Sequence, residues 1–156
     1  MDLEVFFQNK HKVFAWLILK DRLSTTELLR RKNMELHDYN CVLCNQITEE
    51  SVFHLLIGCP FATACWNWLG LQINHQGDLL HWLESFRGQL HVPFFMEIII
   101  LMCWTIWQMR TGLIFNNRPP SLQQAKGAFK SEFVLILFHA KRSYFPEIES
   151  LLNNLV

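Results

Sequence analysis

The 156 residues predict an all-α fold, and three observations carry that prediction. Apolar residues recur at three- and four-residue spacing through most of the chain, the period of one helix face. Helix punctuation falls between those stretches. Ser24, Thr48 and Ser121 stand where N-caps belong, Pro60, Pro93 and Pro146 where first turns belong, and Gly58 and Gly70 where helices end. No run alternates apolar and polar residues convincingly enough to make a strand, and no internal repeat or low-complexity tract interrupts the pattern.

Residues 10–20, KHKVFAWLILK, read as a first helix with an apolar face of Val13, Phe14, Trp16, Leu17 and Leu19. Ser24 with Glu27 is a capping box. It opens a short helix that turns Leu28 and Leu29 inward and ends in Arg30, Arg31 and Lys32, where cations complement the helix dipole. Residues 34–47 have loop composition. Thr48 caps a third helix, EESVFHLLIG, with Glu49 and Glu50 in its first turn. Pro60 opens PFATACWNWLG, whose stripe is Phe61, Cys65, Trp66 and Leu69. After a polar connection over 71–77, DLLHWLESFRGQL makes a fifth helix. Pro93 starts a long apolar one over about 94–115, stopped by NNRPP, the strongest breaker in the chain. SLQQAKGAFKSEFVLILFHAKRSYF, capped by Ser121, and PEIESLLNNLV complete the helical pattern.

Composition bounds the function. The chain is 51% hydrophobic with 6 Trp and 13 Phe, which supplies a real core and argues against disorder. Net charge is +0, so no global field draws a nucleic acid or a membrane. The charge is uneven, however. Between Val5 and Asn33 the cations Lys10, Lys12, Lys20, Arg22, Arg30, Arg31 and Lys32 face only Asp21 and Glu27, and the chain beyond Asn33 is net acidic. The start, MDLEVFFQNKHK, lacks the pattern of a secretory signal, so an intracellular protein, nuclear and/or cytoplasmic, is expected. Ile98 to Trp107, interrupted only by Thr105, covers about half a membrane span. Glu97 and Arg110 bracket it, and a buried helix rather than a membrane span is expected.

The chain has 5 Cys, an odd number that with no secretory signal argues against a disulfide scaffold. Three of them fall with one histidine in CVLCNQITEESVFHLLIGCP. Cys41 and Cys44 have the Cys-x-x-Cys spacing, which lets one tight turn present two thiolates to one ion. His54 and Cys59 follow at a helix body and just past its end, within reach of the same ion. Thiolate and imidazole ligands in this pattern point to Zn2+, and four protein ligands leave no position open for water, which makes the site structural. His37 and Cys65 are rivals for the fourth place and fit worse. Cys103 reads as a core residue.

With these residues in view, a family becomes recognisable. KVFAWLILKDRLSTTELLRRKNM, then CVLC, then EESVFHLLIGCPFATACW resembles the zinc-binding domain at the C-terminal end of plant non-LTR (LINE-type) reverse transcriptases. The matching positions are Phe14, Trp16, Leu17, Arg22, Leu23, Cys41, Cys44, His54, Leu55, Cys59, Pro60, Phe61 and Trp66. Trp104, Trp107, Arg110 and Phe115 resemble the Trp-x-x-Trp-x-x-Arg-Asn…Phe segment that follows in such elements, with Thr111 where Asn is usual. The resemblance implies a stand-alone fragment. Its expected division is a reverse-transcriptase-type zinc-binding domain over 8–70 and a helical extension over 71–156 packed on it as one unit. The polymerase is absent: there is no Asp-Asp dipeptide, and Asp2, Asp21, Asp38 and Asp78 are scattered, whereas a two-metal site needs clustered carboxylates. His11, His75, His81, His91 and His139 have no partner motif, so no enzyme and no small-molecule substrate is expected.

Two functions compete at this stage. The resemblance implies an accessory module that binds RNA or DNA, with Lys10, Lys12, Arg22, Arg30, Arg31 and Lys32 as the phosphate contacts. The alternative is a domesticated protein-interaction module, of regulatory, defence or toxin–antidote type. It would dock a protein partner or a second copy through Phe94, Phe95, Trp104, Trp107 or the C-terminal helix.

Overall fold

A computed structural model describes residues 7–74, 76–137 and 144–155. These residues form α1 (Asn9–Leu19), α2 (Thr26–Arg31), a π-helix (His54–Gly58), α3 (Pro60–Trp68), α4 (Leu79–Leu90), α5 (Phe95–Asn116), α6 (Leu122–Leu137) and α7 (Phe145–Asn154). No strand occurs among the described residues, and a single antiparallel bridge joins Asn40 to Glu49. The fold is all-α, with its small ligand-bearing unit between helices in the N-terminal part. The last part of the expected helix from Ser121 covers 138–143, which, like His75 and His139, lies outside the described residues.

Helix α5 organises the packing: α1, α3, α4, α6 and the π-helix all lie against it. It buries residues all round, with Ile98, Leu101, Met102 and Ile106 fully enclosed. A helix apolar on every side belongs in the middle of a fold. By length and composition α5 is also able to cross a membrane; here half of its most apolar window is buried inside the protein. It stops at Asn117, which takes the left-handed conformation (φ 52°) that Asn tolerates, and the Arg118 N–H closes back on the Gly112 carbonyl at 3.0 Å. The facing core is aromatic. Phe129 stacks on Phe133, and Phe133 meets Phe94 across the α5–α6 seam.

Three local expectations need correction. The buried stripe of α1 is His11, Phe14 and Ala15, while Val13 (58%), Trp16 (50%) and Leu19 (63%) are exposed. The helix meets α5 along one narrow line, with Phe14 edge-on to Trp104 at 5.2 Å, so a helix carrying apolar residues on several sides leaves some of them outside. The cap of α2 is Thr25, not Ser24: its Oγ1 accepts the Leu28 N–H at 3.3 Å. Glu27 therefore closes no capping box. Finally, the third helix does not begin at Thr48. Glu49 and Glu50 lie in the bridged loop, and Ser51 Oγ receives the His54 N–H at 3.0 Å. By contrast Asp78 caps α4 through the His81 N–H at 3.0 Å, and Ser121 caps α6 through the Gln124 N–H at 3.1 Å.

Candidate metal centre

The knuckle is built by backbone pairing across the loop. The Cys41 N–H donates to the Thr48 carbonyl (2.8 Å) and the Glu50 N–H to the Tyr39 carbonyl (2.9 Å), so the chain between them turns back on itself. That turn carries Cys44 toward Cys41. On the other side the Cys59 N–H reaches the His54 carbonyl at 2.6 Å. This five-residue closure is the wide turn of a π-helix, a form that recurs at functional sites. It brings the residue after Gly58 back beside the histidine. Cys59 is extended (φ −63°, ψ 136°) and serves as the N-cap position of α3, with Pro60 in the first turn.

The side chains converge. One ligand atom from each of Cys41, Cys44, His54 and Cys59 lies within 4.8 Å of all the others. Cys41 Sγ is 3.9 Å from Cys59 Sγ, and Cys44 Sγ is 3.4 Å from His54 Nε2. A tetrahedral zinc with Zn–S bonds of ~2.3 Å separates its sulfurs by about 3.8 Å. The spacing and the soft donor set both fit a single tetrahedral ion such as zinc. Cys41, His54 and Cys59 are buried and Cys44 is half-buried. The sequence rivals stand apart: His37 is exposed, and Cys65 and Cys103 are buried thiols outside the group.

The electrostatics of the four follow from their contacts. The Cys41 S–H donates to Cys59 Sγ, and the N–H groups of Phe61 and Ala62 at the start of α3 point at the same sulfur. Against burial, these hold the Cys59 thiol down to about 6. The same hydrogen bond, reinforced by burial, pushes the Cys41 thiol up, and burial does the same to Cys44. A divalent cation among them would take the place of the shared proton. Burial alone accounts for Cys103, pushed up to about 12, and mostly for Cys65, also raised to about 12.

A residue pair that the sequence reading did not join holds this loop in place. Glu50, between the two halves of the ligand set, is completely buried. Its Oε1 accepts from Arg110 Nη2 (2.7 Å) and from the Thr26 N–H (3.1 Å), and its Oε2 accepts from Arg110 Nε (3.2 Å). Arg110 reaches from α5, stacks over the Trp107 ring at 4.6 Å and donates to the Ser24 carbonyl. One carboxylate thus caps α2, fixes the ligand loop and ties both to the central helix. The Trp104–Trp107–Arg110 spacing was the available signal: Trp104 and Trp107 clamp Phe14 of α1 while Arg110 clamps the loop.

The expected phosphate contacts are dispersed. Lys10 binds Glu132 on α6 at 2.8 Å, Arg30 binds Glu49 at 2.9 Å, and Arg31 binds Asp21 at 2.9 Å. Arg22 and Lys32 are exposed and Lys12 is half-buried, and none of the three has an ion pair among the described residues.

The family model described as zinc-binding in reverse transcriptase matches residues 4–66, which include every one of the four ligands. The match concerns the zinc-binding part of a reverse transcriptase and not its catalytic domain. No curated protein and no solved structure matches the chain. The convergent Cys3His group and this match fall on the same segment: over residues 4–66 the chain is similar to the zinc-binding part of a reverse transcriptase.

Proposed function

We propose that the chain is a non-enzymatic, zinc-stabilised module that binds nucleic acid through the cations around α2. The observation that carries this reading is the way the ligand loop holds that helix. Glu50 accepts the Thr26 N–H, the Thr26 hydroxyl donates to the Tyr39 carbonyl, and the exposed Arg22, Arg30, Arg31 and Lys32 ride on the segment so fixed. Cys41, Cys44, His54 and Cys59 would hold the metal. It would supply rigidity rather than a reactive water, because four protein ligands close a tetrahedral shell. The carboxylates on Arg30 and Arg31 are no obstacle. Both pairs are solvent-exposed, such pairs contribute about 0–1 kcal/mol, and phosphate can replace them.

The test is binding of labelled single-stranded RNA, single-stranded DNA and duplex DNA over a range of salt. Affinity should fall with salt, and the slope for single strands should shrink by about 0.7 for each contacting charge removed, as in Arg30→Gln with Arg31→Gln. A chain that binds none of the three polymers at low salt would sink the reading.

A second reading has its own observation. A cleft of about 650 Å3 opens between α1, the π-helix, α4 and α5, lined by Ile18, Phe53, Leu79, Leu83, Met96 and Ile99 among others. It is the surface on which a domesticated protein-interaction module would act. Of the four aromatic residues expected from sequence, Phe95 lines this cleft, whereas Phe94 is buried and Trp104 and Trp107 are packed against the core elsewhere. Binding to a protein through this cleft would be nearly independent of salt, which separates the two readings.

A further inference from the structure

Of the 6 Trp, only Trp16 stands out in solvent. Trp66 and Trp82 are buried. Trp68, Trp104 and Trp107 each rest against an aromatic neighbour, Phe129 for the first and Phe14 for the other two. Trp16 is half exposed and has no ring contact among the described residues. With Val13 and Leu19, three positions to either side, it makes an exposed apolar patch on the outer side of α1, and such patches mark binding surfaces.

Its charged neighbours narrow the ligand. Lys12 in α1 and Lys20 at its C-cap, whose N–H still reaches the Trp16 carbonyl at 3.0 Å, precede and follow Trp16 by four positions, so the three fall along one row, with the lysines about 12 Å apart along the axis. Neither lysine has an ion pair among the described residues, and Asn9–Lys20 contains no Asp or Glu. The nearest acid in sequence, Asp21, is bound to Arg31 at 2.9 Å. The row is rigidly presented, since His11 and Phe14 on the far side lock edge-on to Trp104 of α5.

We infer that this row is a stacking platform for single-stranded nucleic acid: Trp16 receives one base, and Lys12 and Lys20 take the phosphates on either side. An aromatic plane between two cations is what a flexible strand with alternating bases and phosphates matches. An apolar protein surface would leave both ammonium groups unpaired, and a duplex would keep its bases out of reach of the indole. The platform adds Trp16 and Lys20 to the binding face. It rests on the nucleic-acid reading above.

The experiment uses the full chain, with zinc supplied, and a fluorescein-labelled oligo(U) probe. A DNA hairpin serves as duplex control, and binding is measured at several salt concentrations. Trp16→Ala should weaken oligo(U) binding roughly tenfold, a typical loss for one stacked base, with the salt slope unchanged. Trp16→Phe should recover part of the loss. Lys12→Gln and Lys20→Gln should each reduce the salt slope by about 0.7. Because half of Trp16 stands in solvent, Lys20 is exposed and Lys12 is only half-buried, all these variants should stay folded, with Trp16→Ala melting at most a few degrees lower, as thermal melting checks. Wild-type binding to oligo(U) with Trp16→Ala equally tight would overturn the platform and leave the nucleic-acid reading standing. If the wild type binds neither probe, both fall. If Trp16→Ala weakens the hairpin as much as oligo(U), the stacking assignment is wrong.

Discussion

Two regions of this chain solve the problem of staying folded in different ways. In the loop from Met34 to Glu50 little apolar surface is hidden. Ile47 is 92% exposed, Met34 and Val42 are exposed, and only Cys41 and Leu43 contribute buried apolar side chains. Across the molecule, α5 and α6 enclose Ile98, Leu101, Met102, Phe129 and Phe133 almost completely. A core of that kind holds itself by burial at about 25 cal/mol per Å2 of apolar surface. A loop without one needs bonds instead: here one buried ion pair holds it, and the convergent Cys41, Cys44, His54 and Cys59 would add a metal. The contrast teaches where each part is vulnerable: the loop to the loss of a single polar atom, the helical part to the loss of volume.

The widest separation between the regions should come from the metal. Structural zinc contributes on the order of 10 kcal/mol in small zinc domains, comparable with the whole stability of an ordinary one. Cys59→Ser should abolish stoichiometric zinc in the purified chain and unfold the segment around the loop. A strong chelator should do the same to the parent, with the amides of residues 39–59 losing exchange protection first. The α5–α6 amides should keep theirs longer. Equal loss across both regions would erase the distinction, and full protection after chelation would show that the loop needs no metal.

Next in size come two substitutions of similar cost and opposite reach. Arg110→Gln strands the buried Glu50 carboxylate, a fault that typically costs 3–5 kcal/mol. Phe133→Ala removes a fully buried ring and should cost about the same, 3–5 kcal/mol by urea denaturation. Only the first should also weaken zinc in a chelator competition, because only Glu50 fixes the ligand loop. The pair Glu50→Gln with Arg110→Met should recover part of the loss, since no charge is then left unpaired. If Phe133→Ala loosens zinc as much as Arg110→Gln does, the two regions are one cooperative unit and the comparison dissolves.

The ligand set was legible because its chemistry is local. Cys-x-x-Cys and the His54–Cys59 interval fall within one short stretch, and the requirement that one ion meet all four is written in the spacing. The helices were legible for a similar reason, through Pro60, Ser121 and the periodic apolar residues. What was not legible depends on partners far away in sequence. Glu50 reads as an ordinary first-turn acid until Arg110, sixty positions on, is seen against it. Likewise α1 offers Val13, Trp16 and Leu19 as readily as Phe14 for its inner face, and only the position of Trp104 decides which are hidden. The π-turn at His54 was not foreseen because nothing in the propensity of HLLIG marks a five-residue closure.

The smallest effect tests whether the helical part carries any charge-sensitive point of its own. Glu97 lies in the first turn of α5, where the dipole favours an acid, yet it is buried, and no ion pair reaches it among the described residues. Burial pushes its carboxyl above the usual 4.5, opposed in part by a bond from its own backbone N–H. The unfolded chain therefore releases this proton at lower pH than the folded one. The stability contributed by the protonated carboxyl is complete below pH 4.5 and is lost as pH rises through the higher folded value. Glu97→Gln, which keeps the shape of the neutral acid, should leave the melting temperature unchanged at pH 4. At pH 7.5 it should raise it by about 2–4 °C, the scale of ~1 kcal/mol in a domain of this size. The comparison is sharpest with zinc present, because protons compete for its ligands: acid should then weaken the loop while relieving Glu97. A substitution that stabilises equally at both pH values would mean that packing, not ionisation, sets the cost at this position.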